Sequence, residues 1–117
     1  MTTIVYVCTT CASTWENGKR VGISGGEMLL RALTDSNSDQ ELVIRPVNCM
    51  SACSQSCAVA FMSPGKYSYL FGNLQTESVA AILECAAIYH RKPDGMMAWQ
   101  ERPVPLRSNL LAKLPPL

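Results

Sequence analysis

Five of the six cysteines stand in two tight clusters, and the fold must bring these clusters together if they share one site. Cys8 and Cys11 form a CxxC at the end of the first apolar run, and Cys49, Cys53 and Cys57 form a CxxxCxxxC before another apolar run. Thiolates spaced in this way and contributed by two chain segments are the usual protein ligands of a soft metal ion or an iron–sulfur cluster. The clusters therefore predict one thiolate site where two segments meet.

The N-terminal half of the chain predicts a strand, a helix and a second strand. Residues 4–8 are β-branched and aromatic and predict a buried strand, whereas the polar residues 9–22 predict a loop. The spacing of Ser24 and Glu27 is that of a capping box, which indicates that an amphipathic helix begins there. Residues 42–44 predict the second strand, which runs into the second cysteine cluster.

The C-terminal half predicts a hairpin, a second helix and a tail. Residues 58–62 and 67–72 form the hairpin around a turn that contains Pro64 and Gly65. Thr76 is predicted to cap the second helix, which ends in a basic turn at 90–92 that suits the helix dipole. Its apolar stripe consists of Ala81, Ile82, Cys85, Ile88 and Tyr89.

We therefore predict a single α/β domain, residues 1–101, with a thioredoxin-like β-α-β-β-β-α order. The proline-rich residues 102–117 show no helical or strand period and predict an extended C-terminal tail. A right-handed crossover makes the first two strands parallel and adjacent, so their carboxyl ends lie at one edge of the sheet. This topology brings Cys8 and Cys49 together.

The choice of ligands follows from the distances between the cysteines of the second cluster. A helix over residues 49–57 would separate the outer cysteines by roughly 12 Å, too far for one small cluster. A [2Fe–2S] cluster needs four thiolates, and we take Cys8, Cys11, Cys49 and Cys53 as first choice. Cys57 is a possible substitute for one of them or a neighbour of the site.

Two alternatives use the same cysteines, and one cysteine stands apart. The four thiolates could hold zinc in a closed tetrahedral site, although the second cluster lacks the usual knuckle spacing. A dithiol–disulfide pair at Cys8 and Cys11 is disfavoured, because the residues after Cys11 make a poor helix start.

Cys85 lies in the apolar stripe of the second helix and is predicted to be a core residue.

Composition excludes several classes of function. The formal net charge of +1 and the absence of a basic stripe argue against a nucleic-acid partner. No segment has the length of a membrane span, and the first residues lack the features of a signal peptide. We therefore expect a cytoplasmic protein with reduced thiols. No Ser/His/Asp or paired-carboxylate constellation occurs, so we expect no enzymatic activity.

The chain resembles the thioredoxin-like [2Fe–2S] ferredoxins. It resembles still more closely a bacterial family of small proteins described as predicted metal-binding and of unknown function. The first resemblance covers mainly the element order and the CxxxC, and the second spans nearly the whole chain. The residues that carry them are Val7–Cys11, Val47–Cys53, Cys57–Ala60, Pro64–Tyr69, Phe71–Leu74, Tyr89, Asp94, Gly95, Trp99, Arg102 and Pro103.

The ferredoxin resemblance implies ligand positions. The first ligand of those ferredoxins ends the first strand, as Cys8 does, and their last two form a CxxxC that matches Cys49 and Cys53. Their second ligand comes from a longer loop, where this sequence has Arg20. Cys11 or Cys57 must therefore take its place. The resemblance further implies a homodimer, and the predicted metal-binding family is associated with cobalt and corrinoid metabolism.

These observations lead to one functional prediction and two rivals. We predict a [2Fe–2S] protein that transfers single electrons to a redox partner protein through a small transient interface. Met50, Phe61 and Met62 are the predicted apolar rim of that interface. The rivals are a thiolate protein that carries or senses zinc or another divalent metal, and an interaction module with a structural zinc site.

Overall fold

A five-stranded sheet forms the centre of the computed structural model, which describes residues 2–9, 14–49 and 57–116. Cys11 and Cys53 lie outside these residues. The elements, in chain order, are β1 (Thr3–Cys8), β2 (Thr14–Glu16), β3 (Lys19–Val21), α1 (Gly25–Ser36), β4 (Leu42–Val47), β5 (Val59–Met62), β6 (Ser68–Phe71), α2 (Val79–Arg91) and β7 (Leu110–Leu114).

The pairing of the strands confirms the predicted thioredoxin-like α/β arrangement. β1 lies between β4, to which it is parallel, and β5, to which it is antiparallel. The register places Cys8 beside Val47, so β1 and β4 end at the same edge of the sheet. β5 and β6 form the predicted antiparallel hairpin. The crossover rule thus correctly positions the ends of both strands.

The core lies between the sheet and the two helices. Alternate residues of the central strands are fully buried, as the period of two in a strand requires when one face is covered. α1 contacts both α2 and the β1–β4 pair. The largest fully buried side chains are Tyr69, Tyr89, Phe61, Phe71, Leu29, Leu33, Leu74, Ile82, Leu106, Val5, Val7 and Val59.

The two helices begin differently from each other. The Ser24 side chain accepts a hydrogen bond from the Glu27 N–H and caps α1, which confirms that part of the prediction. Thr76, by contrast, does not cap α2, because residues Thr76–Ser78 form a 3₁₀ turn and the α-helix begins at Val79. The observed cap position is Ser78, so the predicted N-terminus of the second helix is two residues too early.

A buried lysine joins the C-terminal end of α2 to the turn after β5. Only 4 % of the Lys66 surface is exposed, and its Nζ donates to the carbonyl oxygens of His90 at 2.7 Å and Tyr89 at 3.4 Å. These carbonyls belong to the last turn of the helix, where backbone donors run out. The Tyr89 carbonyl also accepts from the N–H of the C-cap residue Lys92 at 3.2 Å. Burial lowers the pKa of Lys66, and nearby Asp94 partly opposes that effect.

The loop predicted at residues 9–22 contains a short hairpin, so that prediction is wrong. β2 and β3 pair in antiparallel register around Asn17 and Gly18, whose φ angles are 52° and 77°. Two consecutive positive φ angles match the turn that an Asn-Gly pair prefers between two strands. The sequence carries this signal, but the polar character of the surrounding residues obscures it.

The C-terminal segment is also more structured than the extended tail that its composition predicts. Val104–Leu106 forms a 3₁₀ helix that buries Leu106 completely, and β7 pairs with β6 at the edge of the sheet. Prolines precede and follow β7 but none lies within it, so every ladder position keeps its N–H. In the part of the chain that the structure describes, the helices fall short of the length and the apolar run that a membrane span needs.

Candidate thiolate site

Cys8 occupies the last position of β1, where the chain is tied to its neighbours on both sides. Its side chain is fully buried, and its N–H donates to the carbonyl oxygen of Ala58 at 3.1 Å. On the other side, the N–H of Thr9 donates to the Val47 carbonyl oxygen at 2.9 Å. The end of β1 therefore has a fixed position between β4 and the segment that enters β5.

Cys49 and Cys57 reach the same edge of the sheet from the two neighbouring strands. Cys49 follows β4 by two residues and is exposed. Cys57 directly precedes Ala58, the residue bonded to Cys8, and is 6 % exposed. The Cys57 backbone exchanges two hydrogen bonds with Leu74, at 3.2 and 3.1 Å, which fix its position. The described cysteines of both clusters thus meet at one edge, as the predicted topology requires.

The electrostatics of Cys57 reflect this proximity. Burial raises the pKa of the Cys57 thiol, and the neighbouring Cys8 raises it further. A thiol in this setting gains from a bound cation, because metal binding replaces the proton and neutralises the thiolate charge. The donor chemistry of this edge therefore suits a soft metal or an iron–sulfur cluster.

The first turn of α1 packs directly against the Cys8 backbone. Gly26 faces the Cys8 carbonyl oxygen so closely that a Cβ atom at this position would overlap it. The Ser24 hydroxyl donates to the carbonyl oxygen of Thr9, in addition to its role as helix cap. Sequence analysis identifies Ser24 only as a cap and gives Gly26 no role. A glycine at the start of a helix is not by itself a sign of close packing, so the sequence alone does not reveal this contact.

Cys85 has no part in this edge, as predicted. Its side chain is completely buried on α2, where its Sγ lies 3.8 Å from the Met97 Sδ. Burial raises the pKa of the Cys85 thiol to about 12, although nearby Arg102 opposes the shift. It is a core residue.

The predicted ligand set is only partly described by the structure. Cys11 and Cys53 lie outside the described residues, so their places in the set stay predictions. Among residues 2–9, 14–49 and 57–116, no three Cys, His, Asp or Glu side chains come close enough to hold a metal ion. Since at most two described side chains can then contribute, a complete four-thiolate site at this edge requires both Cys11 and Cys53.

The predicted apolar rim does not surround this edge. Phe61 is fully buried in the core, and Met62 pairs with Ile4 near the start of β1, at the opposite end of the sheet. Met50 lies outside the described residues. The prediction for Phe61 and Met62 is wrong because the direction of β5 carries these residues away from Cys57.

The fold and the edge cysteines define the class of protein as a thioredoxin-like α/β domain. A thioredoxin-like [2Fe–2S] ferredoxin from Aquifex aeolicus is similar, with 22 % identity, a TM-score of 0.60, and coverage of 96 % of this chain and 92 % of that one. A wild-type crystal structure of that ferredoxin matches with 20 % identity, a TM-score of 0.55 and coverage of 95 % and 97 %. A cysteine-to-serine variant matches with 20 % identity, a TM-score of 0.59 and coverage of 94 % and 98 %.

The family assignment comes from a separate comparison. The model of a family described as "Protein of unknown function (DUF1636)" matches residues 5–116. The chain belongs to this family. No curated protein matches the sequence. The fold similarity and the family membership confirm both resemblances seen in the sequence.

Proposed function

We propose that this chain binds one [2Fe–2S] cluster at the sheet edge that carries Cys8, Cys49 and Cys57, and that it transfers single electrons to a partner protein. The observation that carries the proposal is the convergence of cysteines from both sequence clusters at this edge. The ferredoxins of similar fold support the choice of an iron–sulfur cluster over zinc.

The proposed ligands are Cys8, Cys11, Cys49 and Cys53, with Cys57 as the alternative fourth thiolate. When bound, the cluster would supply the one-electron chemistry. The chain would hold it between a buried side, at Cys8 and Cys57, and an exposed side, at Cys49. An exposed ligand keeps the path to a partner short, while the buried thiols keep water from part of the site.

The test begins with protein purified without oxygen. Its visible absorption, iron, acid-labile sulfide and zinc are measured on one sample. Bands at 400–600 nm that bleach with dithionite, with about two iron and two sulfide per chain, would support the proposal. A colourless protein with one zinc per chain would overturn it and favour a metal carrier, a sensor or a structural zinc module.

Serine variants identify the ligands. Cys53→Ser and Cys57→Ser are each compared with Cys85→Ser, which alters a buried cysteine away from the edge. A ligand variant loses most of its iron and sulfide, whereas the Cys85 variant keeps its cluster even if its stability falls. Wild-type iron and sulfide in the Cys53 variant would exclude Cys53, and the same result in the Cys57 variant would leave Cys57 as a neighbour.

The setting of the protein is part of the same proposal. We propose a cytoplasmic electron carrier without enzymatic activity of its own, which forms a homodimer and serves cobalt or corrinoid metabolism. These points rest on the family resemblance and on the paired cysteines, which stay reduced in the cytoplasm. Sedimentation of the cluster-loaded protein tests the dimer, because a monomer at micromolar concentration would contradict it.

A further inference from the structure

The contact between α1 and the end of β1 is closer than any side chain would permit. A Cβ atom on Gly26 would overlap the Cys8 carbonyl oxygen and lie 3.1 Å from the Cys8 carbonyl carbon and 3.2 Å from that of Thr9. All three atoms are backbone, so they give way only if the helix or the strand end moves. Ordinary contacts of a Cβ atom begin near 3.4 Å. The overlap with the Cys8 oxygen, and not the two contacts with carbon, sets the size of the movement: a methyl group here would displace one element by roughly 1 Å or more.

Ser24 holds the same segment through hydrogen bonds. Its hydroxyl donates to the Thr9 carbonyl oxygen and accepts from the Glu27 N–H at 3.0 Å. On the opposite side, the N–H and hydroxyl of Thr9 both donate to the Val47 carbonyl oxygen, at 2.9 and 3.3 Å. The peptide after Cys8 is thus fixed between α1 and β4, with no side-chain atom between Gly26 and the strand.

We propose that Gly26 and Ser24 are positioning residues that set the place of the Cys8 thiolate in the cluster site. This inference rests on the proposed function. Sites of this kind need ligands held within about 0.5 Å of their required positions. Replacement of residues that support such ligands changes the metal affinity by about 10–100-fold. A shift of the Cys8 backbone by roughly 1 Å exceeds that tolerance. Gly26 acts by the absence of a side chain, and Ser24 acts through its two hydrogen bonds.

The test compares Gly26→Ala with Leu33→Ala in the cluster-loaded protein. Leu33 is fully buried on the same helix, about two turns further along, so its truncation lowers stability without adding an atom near Cys8. The measurements are the rate of cluster loss to an excess of chelator, the visible and EPR spectra, and the thermal midpoint of the apoprotein. We expect Gly26→Ala to lose its cluster at least about 10-fold faster than wild type, with altered spectra. Leu33→Ala should keep the wild-type spectra.

Ser24 gives an independent test that does not add bulk against the strand. Ser24→Ala removes both hydrogen bonds and should accelerate cluster loss, whereas Ser24→Thr keeps the hydroxyl and should restore the slower rate. Wild-type rates and spectra in both Gly26→Ala and Ser24→Ala would overturn the positioning role while leaving the cluster assignment intact. If Gly26→Ala does not fold, the Ser24 pair decides. A wild-type protein without any cluster would instead overturn the proposed function itself.

Discussion

Replacement of Lys66 by methionine should lower the free energy of unfolding by about 2 kcal/mol. Lys66→Met keeps an unbranched apolar side chain of similar length but removes the charged donor to the His90 and Tyr89 carbonyl oxygens at the end of α2. The Tyr89 carbonyl keeps the Lys92 N–H as a donor, so the main loss is at His90. A hydrogen bond from a charged donor contributes about 1.5–3 kcal/mol, and the charge at a helix C-terminus adds about 0.3–1 kcal/mol. Burial of the ammonium group costs free energy, as the lowered pKa of Lys66 shows, and this cost offsets part of the stabilisation by the hydrogen bonds.

Lys113→Met is the matched control. Both lysines place Nζ 5.4 Å from the centroid of a tyrosine ring, Lys66 over Tyr89 and Lys113 over Tyr67. Lys113 is exposed, so its replacement removes a cation–π contact of about 0.5–1 kcal/mol and no buried hydrogen bond. The difference between the variants therefore isolates the contacts of Lys66 with the end of α2.

Urea unfolding of the apoprotein at neutral pH measures both values, and calorimetry should place the Lys66→Met midpoint about 8 °C below that of wild type. Equal losses in the two variants would refute the reasoning. The carbonyl contacts would then contribute nothing beyond the ring contact that both lysines make.

Two further predictions concern stability. Leu106→Ala, in the segment expected to be a tail, should lower the free energy of unfolding in urea by about 2–5 kcal/mol, because Leu106 is fully buried. Val104→Ala is the control: Val104 is 69 % exposed, so its truncation should change that free energy by no more than about 0.5 kcal/mol. A small loss for Leu106→Ala would mean that the segment is dispensable. The apoprotein should also lose stability above pH 9. Burial raises the pKa of Cys57, and it raises those of Cys85 and Tyr89 to about 12. As the pH rises, the unfolded chain therefore releases these protons before the folded chain does, and unfolding becomes more favourable. Between its unfolded and folded pKa, each such group lowers the free energy of unfolding by about 1.4 kcal/mol per pH unit. A free energy of unfolding that stays constant from pH 9 to 11 would contradict the burial of these groups.

The central part of the fold is predictable because its signals are local. The β-branched run ending at Cys8 and the cap at Ser24 each specify their own element, and the handedness of the crossover then fixes the parallel pairing. The meeting of Cys8 and Cys49 follows from these features alone. No contact between distant residues has to be known in advance.

The features that escaped prediction depend on contacts between distant residues. β7 exists as a strand because β6 offers it a free edge, and the residues from Leu110 onward have no clear strand pattern of their own. The sequence predicts Lys66 as a turn residue, and it is buried only because the C-terminal end of α2 packs against it. The role of Gly26 likewise depends on the path of β1, since a glycine at the start of a helix has no local signature of close packing.

The strand order has a consequence for when the site can exist during synthesis. β1 emerges first, yet its strand partners β4 and β5 begin about 40 and 55 residues later, so until both have been made Cys8 can contact α1 but neither neighbouring strand. Pairings over such separations form slowly, whereas the β5–β6 hairpin can form from neighbouring residues. A cofactor delivered early would meet only the first cysteine pair. Loading of the proposed cluster should therefore follow completion of the sheet rather than guide it.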